Sequence, residues 1–131
     1  MHEFHAWIGL AESTTEDDVE VLEVALREVE ALVSISNWHD ATFDLRNLNG
    51  RYFFTATGLV NRNREEGQRL DELLSLIAES LPGSWGVVYD RDDEAQNPPG
   101  PNAFRVRVIA RGAVSEKVDM LLSPCNPVIE D

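Results

Sequence analysis

The chain opens with a strict alternation of hydrophobic and polar positions over residues 3–10, EFHAWIGL. Alternation with a period of two is typical of a β-strand that buries one face. The predicted core face holds Phe4, Ala6, Ile8 and Leu10, and the other face holds Glu3, His5, Trp7 and Gly9. We therefore predict a first strand that presents Trp7 away from the core.

A first amphipathic helix is predicted after this strand. The hydroxyl residues 13–15 and the acids that follow suit a helix N-terminus, so the helix should begin near Thr15 and end within residues 34–37. Its apolar stripe comprises Val19, Leu22, Leu26, Val29 and Val33. The spacing of three and four residues indicates one face buried against a sheet.

A second amphipathic helix is predicted to open near Asn63, with Glu66 as its capping-box partner. Its apolar stripe comprises Leu70, Leu73, Leu74, Ile77 and Leu81. Pro82 and Gly83 end it, because proline cannot continue a helix and glycine suits its terminus.

The remaining segments are predicted as strands. Asn49-Gly50 separates ATFDLRNL from RYFFTATGLV and favours a two-residue β-hairpin turn with positive φ at both positions. SWGVVYD is a further strand, the proline-rich residues 91–102 are a loop, and strands are expected around residues 104–108 and 114–120.

The element order is β-α-β-β-α-β-β with an optional last strand, which indicates one α+β domain spanning residues 1–131. We predict a ferredoxin-like arrangement, a mostly antiparallel sheet with both helices on one face. The other face is then partly open. Trp7 and His5 are expected there, together with some of Tyr52, Phe53, Trp85 and Tyr89.

The charge of the chain disfavours some classes of binding partner. The formal net charge is −13, which repels nucleic acid and anionic lipid and favours encounter with basic partners. No run of about 18 apolar residues predicts a membrane span, and the first residues do not resemble a signal peptide, so we expect a cytoplasmic protein. The single Cys125 agrees with a reducing compartment.

Neither a metal site nor a catalytic site is predicted. The acidic run after Tyr89 lacks the spacing of a calcium loop, which would need glycine where Ala95 stands and glutamate where Pro101 stands. Cys125 has no basic neighbour to activate it, and no glycine-rich phosphate loop is present. We expect no enzyme activity and no cofactor.

RNA binding and a regulatory binding role are the two alternatives to a dedicated protein-binding surface. The segment GRYFF resembles the exposed strand aromatics of RNA-recognition folds, but the acidity opposes phosphate contacts. A small acidic regulatory module that binds a ligand or protein is the stronger alternative. Protein binding is favoured by aromatics near an acidic run in WGVVYDRDDE, because aromatics supply contact energy and charge supplies steering.

The segments MHEFHAW, GSWGVVYDRDDE and NAFRVRVIARGAVSEKVDMLLSPCNPVIED resemble the immunity protein 7 family of bacterial polymorphic toxin systems. The resemblance spans residues 1–131 and is densest after Gly83. The family often has glycine where this chain has Ala6, and tyrosine where it has Trp85.

This resemblance implies a cytoplasmic α+β protein that is encoded beside a secreted toxin and binds it. From the acidity we expect it to neutralise the toxin by occluding a basic surface. It implies no catalytic residues. The expected toxin-binding residues are Trp85, Tyr89, Asp90, Asp92, Asp93 and Glu94, together with Trp7, Glu130 and Asp131.

Overall fold

Seven strands and two helices are found in a computed structural model, which describes residues 1–96, 99–101 and 103–122. The strands are β1 (His2–Leu10), β2 (Asn37–Trp38), β3 (Ala41–Leu48), β4 (Arg51–Val60), β5 (Trp85–Asp92), β6 (Arg105–Ala110) and β7 (Ala113–Val118). The helices are α1 (Val19–Ser34) and α2 (Glu65–Ser80). Residues 123–131, and with them Cys125, Glu130 and Asp131, lie outside the described residues.

The strands form one antiparallel sheet in the order β2-β3-β4-β1-β5-β6-β7. This confirms the predicted α+β class and antiparallel pairing. The sheet contains the two-residue strand β2, which the sequence pattern did not indicate, and the ferredoxin-like order is not confirmed. A strand of two residues is too short to show alternation.

Both helices pack on the same face of the sheet. One hydrophobic core joins Phe4, Ile8 and Phe54 of the central strands to Val29 of α1 and Leu70 of α2. All five predicted stripe residues of the second helix are buried, whereas Val19 of the first stripe is exposed. Neither helix of the described residues lies on the opposite face of the sheet, which we call the helix-free face.

Helix α1 begins later than predicted. Asp18 is the N-cap, and its Oδ1 accepts hydrogen bonds from the backbone N–H groups of Glu20 (3.1 Å) and Val21 (3.3 Å). Thr15 lies three residues upstream, where its backbone N–H donates to Ser13 Oγ. An ionised carboxylate at the cap satisfies two orphan N–H groups and complements the positive end of the helix dipole.

Helix α2 also departs from its predicted start. It follows Arg64 as N-cap, which makes no side-chain capping bond, so the predicted capping box between Asn63 and Glu66 is wrong. The helix ends at Ser80 with Leu81 as its C-cap, directly before the predicted stop at Pro82-Gly83. Neither described helix is long and apolar enough to cross a membrane.

The predicted hairpin turn is confirmed at Asn49 (φ 55°) and Gly50 (φ 87°) between β3 and β4. A second turn of the same kind joins β6 to β7 through Arg111 (φ 55°) and Gly112 (φ 74°). Arginine rarely adopts positive φ, so Arg-Gly is a much weaker signal for this turn than Asn-Gly.

Candidate functional site

The segment WGVVYDRDDE forms β5 and the turn after it, and its side chains divide between the two faces of the sheet. Asp90 pairs with buried Phe4 and therefore shares the helix-covered face, while Tyr89 pairs with His5 on the helix-free face. Alternation puts Trp85 with Tyr89 and Asp92 with Asp90. Trp85 and Asp92 are also about 23 Å apart along the strand. The structure therefore does not gather the aromatic and acidic residues of this run into one site.

Asp90 is held inside the protein. Only 4% of its surface is exposed, and Arg105 binds it through two bonds, Nε to Oδ1 at 2.8 Å and Nη2 to Oδ2 at 2.9 Å. His2 Nε2 lies 3.0 Å from Oδ2, and it must be the donor because an ionised carboxylate only accepts. Asp90 thus joins β1, β5 and β6 and has no surface to offer a partner.

These partners set the ionisation of Asp90. Burial by itself would raise the pKa of the carboxyl group, but the hydrogen bonds from His2 and Arg105 outweigh that effect. The pKa falls from 3.8 to about 2. The same contact raises the pKa of Arg105, so both charges persist at neutral pH.

The other acids of the run are less buried than Asp90, and two of them make local bonds. Asp92 Oδ1 accepts from the backbone N–H of Glu94 at 3.0 Å, which closes the turn. Asp93 Oδ1 lies 2.5 Å from the amino group of Met1. Glu94 is exposed. The crowd of negative charge is therefore relieved within the molecule at Asp90 and Asp93.

An aromatic patch, Trp7, Phe53 and Trp85, lies on the helix-free face. The rings of Trp7 and Trp85 meet edge to face with centroids 5.8 Å apart, and Phe53 contacts Trp85 in the same way at 6.2 Å. Trp7 is 48% exposed and Trp85 40% exposed. Large aromatic rings held in a fixed geometry yet open to solvent are typical of binding hot spots.

Gly9 shapes this patch. It lies directly opposite both Phe53 and Trp85 in the sheet, and the Trp85 indole ring covers it. A Cβ at position 9 would overlap that ring. The absence of a side chain therefore lets the indole lie flat on the strand, which sequence reasoning did not foresee.

The helix-free face is not acidic. Its strands carry two acids, Glu3 and Asp44, and four bases, Arg46, Arg51, Arg91 and Lys117. Asp44 pairs with Arg46 at 2.5 Å, and Glu3 with Arg91 at 3.8 Å. The negative charge of the protein is therefore elsewhere.

Most of it lies in residues 12–30, which we call the acidic segment. The segment covers the loop before α1 and most of that helix, and it contains eight acids and one base, Arg27, a net −7 of the total −13. Arg27 Nη2 lies 3.9 Å from a carboxylate oxygen of Glu23, a long ion pair. A count of charges in sequence windows identifies this segment, although the shorter run at residues 90–94 has a higher density of acids.

The acidic segment meets the aromatic patch at one end of the sheet. A pocket of about 380 Å³ there is lined by Asp17 and Thr15 on one side and by Arg51 and Trp85 on the other. A partner seated on Trp85 would therefore lie beside the carboxylates that precede α1.

Glu130 and Asp131 lie outside the described residues, so their relation to the other site residues stays a prediction. Within the described ranges, no group of three or more His, Cys, Asp or Glu side chains is arranged to hold a metal ion.

Comparison with known proteins identifies the family of this chain. No curated protein and no solved structure matches the chain. The family model described as Immunity protein 7 matches residues 1–131, the entire sequence. The chain therefore belongs to the immunity protein 7 family.

Proposed function

We propose that this protein binds the toxin domain of a bacterial polymorphic toxin system in the cytoplasm and neutralises it without turnover. Membership of the family supports an immunity role against a toxin. In this proposal the protein covers a basic surface of the toxin, at or beside its active site, and excludes the toxin's substrate by occupying that surface.

The exposed aromatic patch on the helix-free face is the observation that supports the proposed location of the docking site. Trp7 and Trp85 are tryptophans, the residue type most enriched at interface hot spots, and each presents nearly half of its surface. Tyr89 follows on the same face of β5. Contact with a partner would bury these rings, which the protein's own helices leave uncovered.

The acids of the β5 run have different tasks in this proposal. Asp92, Asp93 and Glu94 edge the sheet at the far end of β5 and supply negative charge at the margin of the interface. Asp90 acts as a positioning residue, because it anchors Arg105 and His2 and so fixes the strand that carries Trp85 and Tyr89. The proposed contacts of Glu130 and Asp131 rest on the family resemblance alone.

Co-expression with the product of the adjacent gene tests this function. The wild-type chain should co-purify with that product and restore growth to cells that produce it. Trp7→Ala and Trp85→Ala should each weaken the complex by about 30-fold, because truncation of a hot-spot tryptophan costs about 2 kcal/mol or more.

Val114→Ala is the matched control, since Val114 is an exposed apolar residue on β7 and lies on the helix-covered face. Its affinity should stay within about twofold of wild type. A wild-type chain that neither binds the product nor protects the cells would refute the proposed function. Unchanged affinity in both tryptophan variants would remove the helix-free face from the interface.

A further inference from the structure

The outer side of α1 carries a second apolar surface, away from the core. Val21 and Val24 are 47% and 53% exposed and lie about one helical turn apart. With Ala25 they line a groove of about 450 Å³, whose remaining walls are Glu20, Glu28 and Ser80 at the end of α2. We call this the α1 groove.

Packing of the core does not explain why valine stands at the exposed positions Val21 and Val24. The buried residues of α1 are Ala25, Leu26 and Val29, whereas Val21 and Val24 leave about half of their surface in water. Valine is also a weaker helix former than alanine or leucine. The last turn of α1 has no basic residue to complement the negative end of its dipole.

Charge decides what the α1 groove can receive. Both charged walls, Glu20 and Glu28, are negative, and they belong to the acidic segment with its net −7. A second copy of the chain would bring the same charge against itself, and nucleic acid would be repelled. The complementary occupant is a protein segment with apolar residues flanked by lysine or arginine.

We propose that the α1 groove is a second docking surface of this protein, and that it receives a basic amphipathic segment of the cognate toxin. The inference rests on the proposed function, because it takes the partner to be that toxin. The pocket shared by Asp17 and Trp85 links the acidic segment to the aromatic patch, so one partner can contact both surfaces around this end of the sheet.

A synthetic helical peptide of leucine and lysine is the first probe, and a peptide of leucine and glutamate is its control. In methyl NMR spectra of the full chain, the basic peptide should shift the Val21 and Val24 signals, and the acidic peptide should not. A basic peptide that leaves both valines unshifted, or that shifts methyl groups evenly over the protein, would overturn the inference.

Two double variants separate the α1 groove from general acidity. E20Q with E28Q should weaken peptide binding by about fivefold or more. The matched control, E72Q with E79Q, removes two exposed acids of α2 and should change binding less than twofold, because those acids line a different surface. Equal losses in the two double variants would mean non-specific attraction and would refute the proposal.

Val21→Thr with Val24→Thr keeps the charge and shape of the α1 groove and removes two exposed methyl groups. It should weaken the basic peptide by about fivefold or more. An unchanged affinity would show that no apolar contact forms there, which would contradict a docking site for an amphipathic segment.

The toxin itself distinguishes failure of this inference from failure of the proposed function. If E20Q with E28Q leaves toxin affinity unchanged while Trp7→Ala lowers it, the α1 groove is not a toxin contact and the proposed function stands. If the wild-type chain does not bind the adjacent gene product, the proposed function fails and this inference fails with it. Parallel losses in both variants support both.

Discussion

At the scale of single residues, Asp90 shows that one acidic run can hold side chains with different tasks. Its carboxylate is buried between His2 and Arg105, while Asp93 meets the Met1 amino group at the surface. A buried ion pair contributes to stability only while both partners are present, because removal of one leaves an uncompensated charge. Asp90 is therefore expected to stabilise the fold and, by doing so, to hold β5 in position.

We predict that Asp90→Asn lowers the free energy of unfolding by about 3 kcal/mol near neutral pH, because it leaves Arg105 without its bidentate partner. Asp93→Asn is the matched control and should cost less than about 1 kcal/mol, because its ion pair is exposed. Urea unfolding monitored by circular dichroism measures both. A cost for Asp90→Asn as small as that of the control would contradict the anchoring role.

The pKa of Asp90 gives a separate prediction on pH. A folded pKa of about 2 against the ordinary 3.8 means that the unfolded chain takes up the proton first as the pH falls. The contribution, about 2 kcal/mol, is complete above pH 3.8 and is lost as the pH falls from there through about 2. Asp90→Asn should lack this component of the acid destabilisation. The same fall in stability over this range in both proteins would contradict the assignment.

The face taken by Trp85 and Tyr89 could not be read from the sequence, because it depends on how β5 pairs with β1, and the burial of Asp90 could be read only in part. Alternation in WGVVYDRD already separates Trp85 and Tyr89 from Asp90 and Asp92. The run of carboxylates suggested that Asp90 is exposed, because an acidic side chain is almost never fully buried unless it is paired. What the pattern could not supply was the partner, since Arg105 is fifteen residues away on β6 and reaches Asp90 through the sheet register.

At the scale of elements, the order and type of the helices and long strands were predictable, and their boundaries were less so. Periodicity over sixteen residues defines α1 and α2 strongly. The caps were harder, because the segment before α1 contains several residues that can cap a helix, including Thr15 and Asp18. The bond geometry at Asp18 decides the start of α1.

Substitution of the two candidate caps tests this start. Asp18→Ala should lower the free energy of unfolding by about 1 kcal/mol, because two backbone N–H groups of the first turn lose their acceptor. Thr15→Ala should change it by less than about 0.5 kcal/mol, since Thr15 lies outside the helix. Thermal and urea unfolding measure both, and a larger effect at Thr15 would place the helix start at the upstream residue.

At the scale of the whole molecule, the structure separates two properties that the sequence suggested were together. The aromatic patch lies on a helix-free face with more bases than acids, and more than half of the net negative charge lies in the acidic segment. The total of −13 and the acidic segment can both be read from the sequence, but the position of that segment relative to the aromatic patch depends on which face each strand residue takes and on where α1 packs. The proposed toxin-binding function uses both properties, contact energy from the rings and steering from the acidic segment.

The net charge of −13 should draw a basic protein partner to this molecule. The most direct measurement is the association rate constant of the wild-type chain with its cognate toxin domain at about 0.01 M and about 1 M salt, where the Debye length falls from about 30 Å to about 3 Å. The rate constant should fall by about tenfold or more over this range, because salt screens the long-range attraction. An association rate that is the same at both salt concentrations, or that rises with salt, would contradict it.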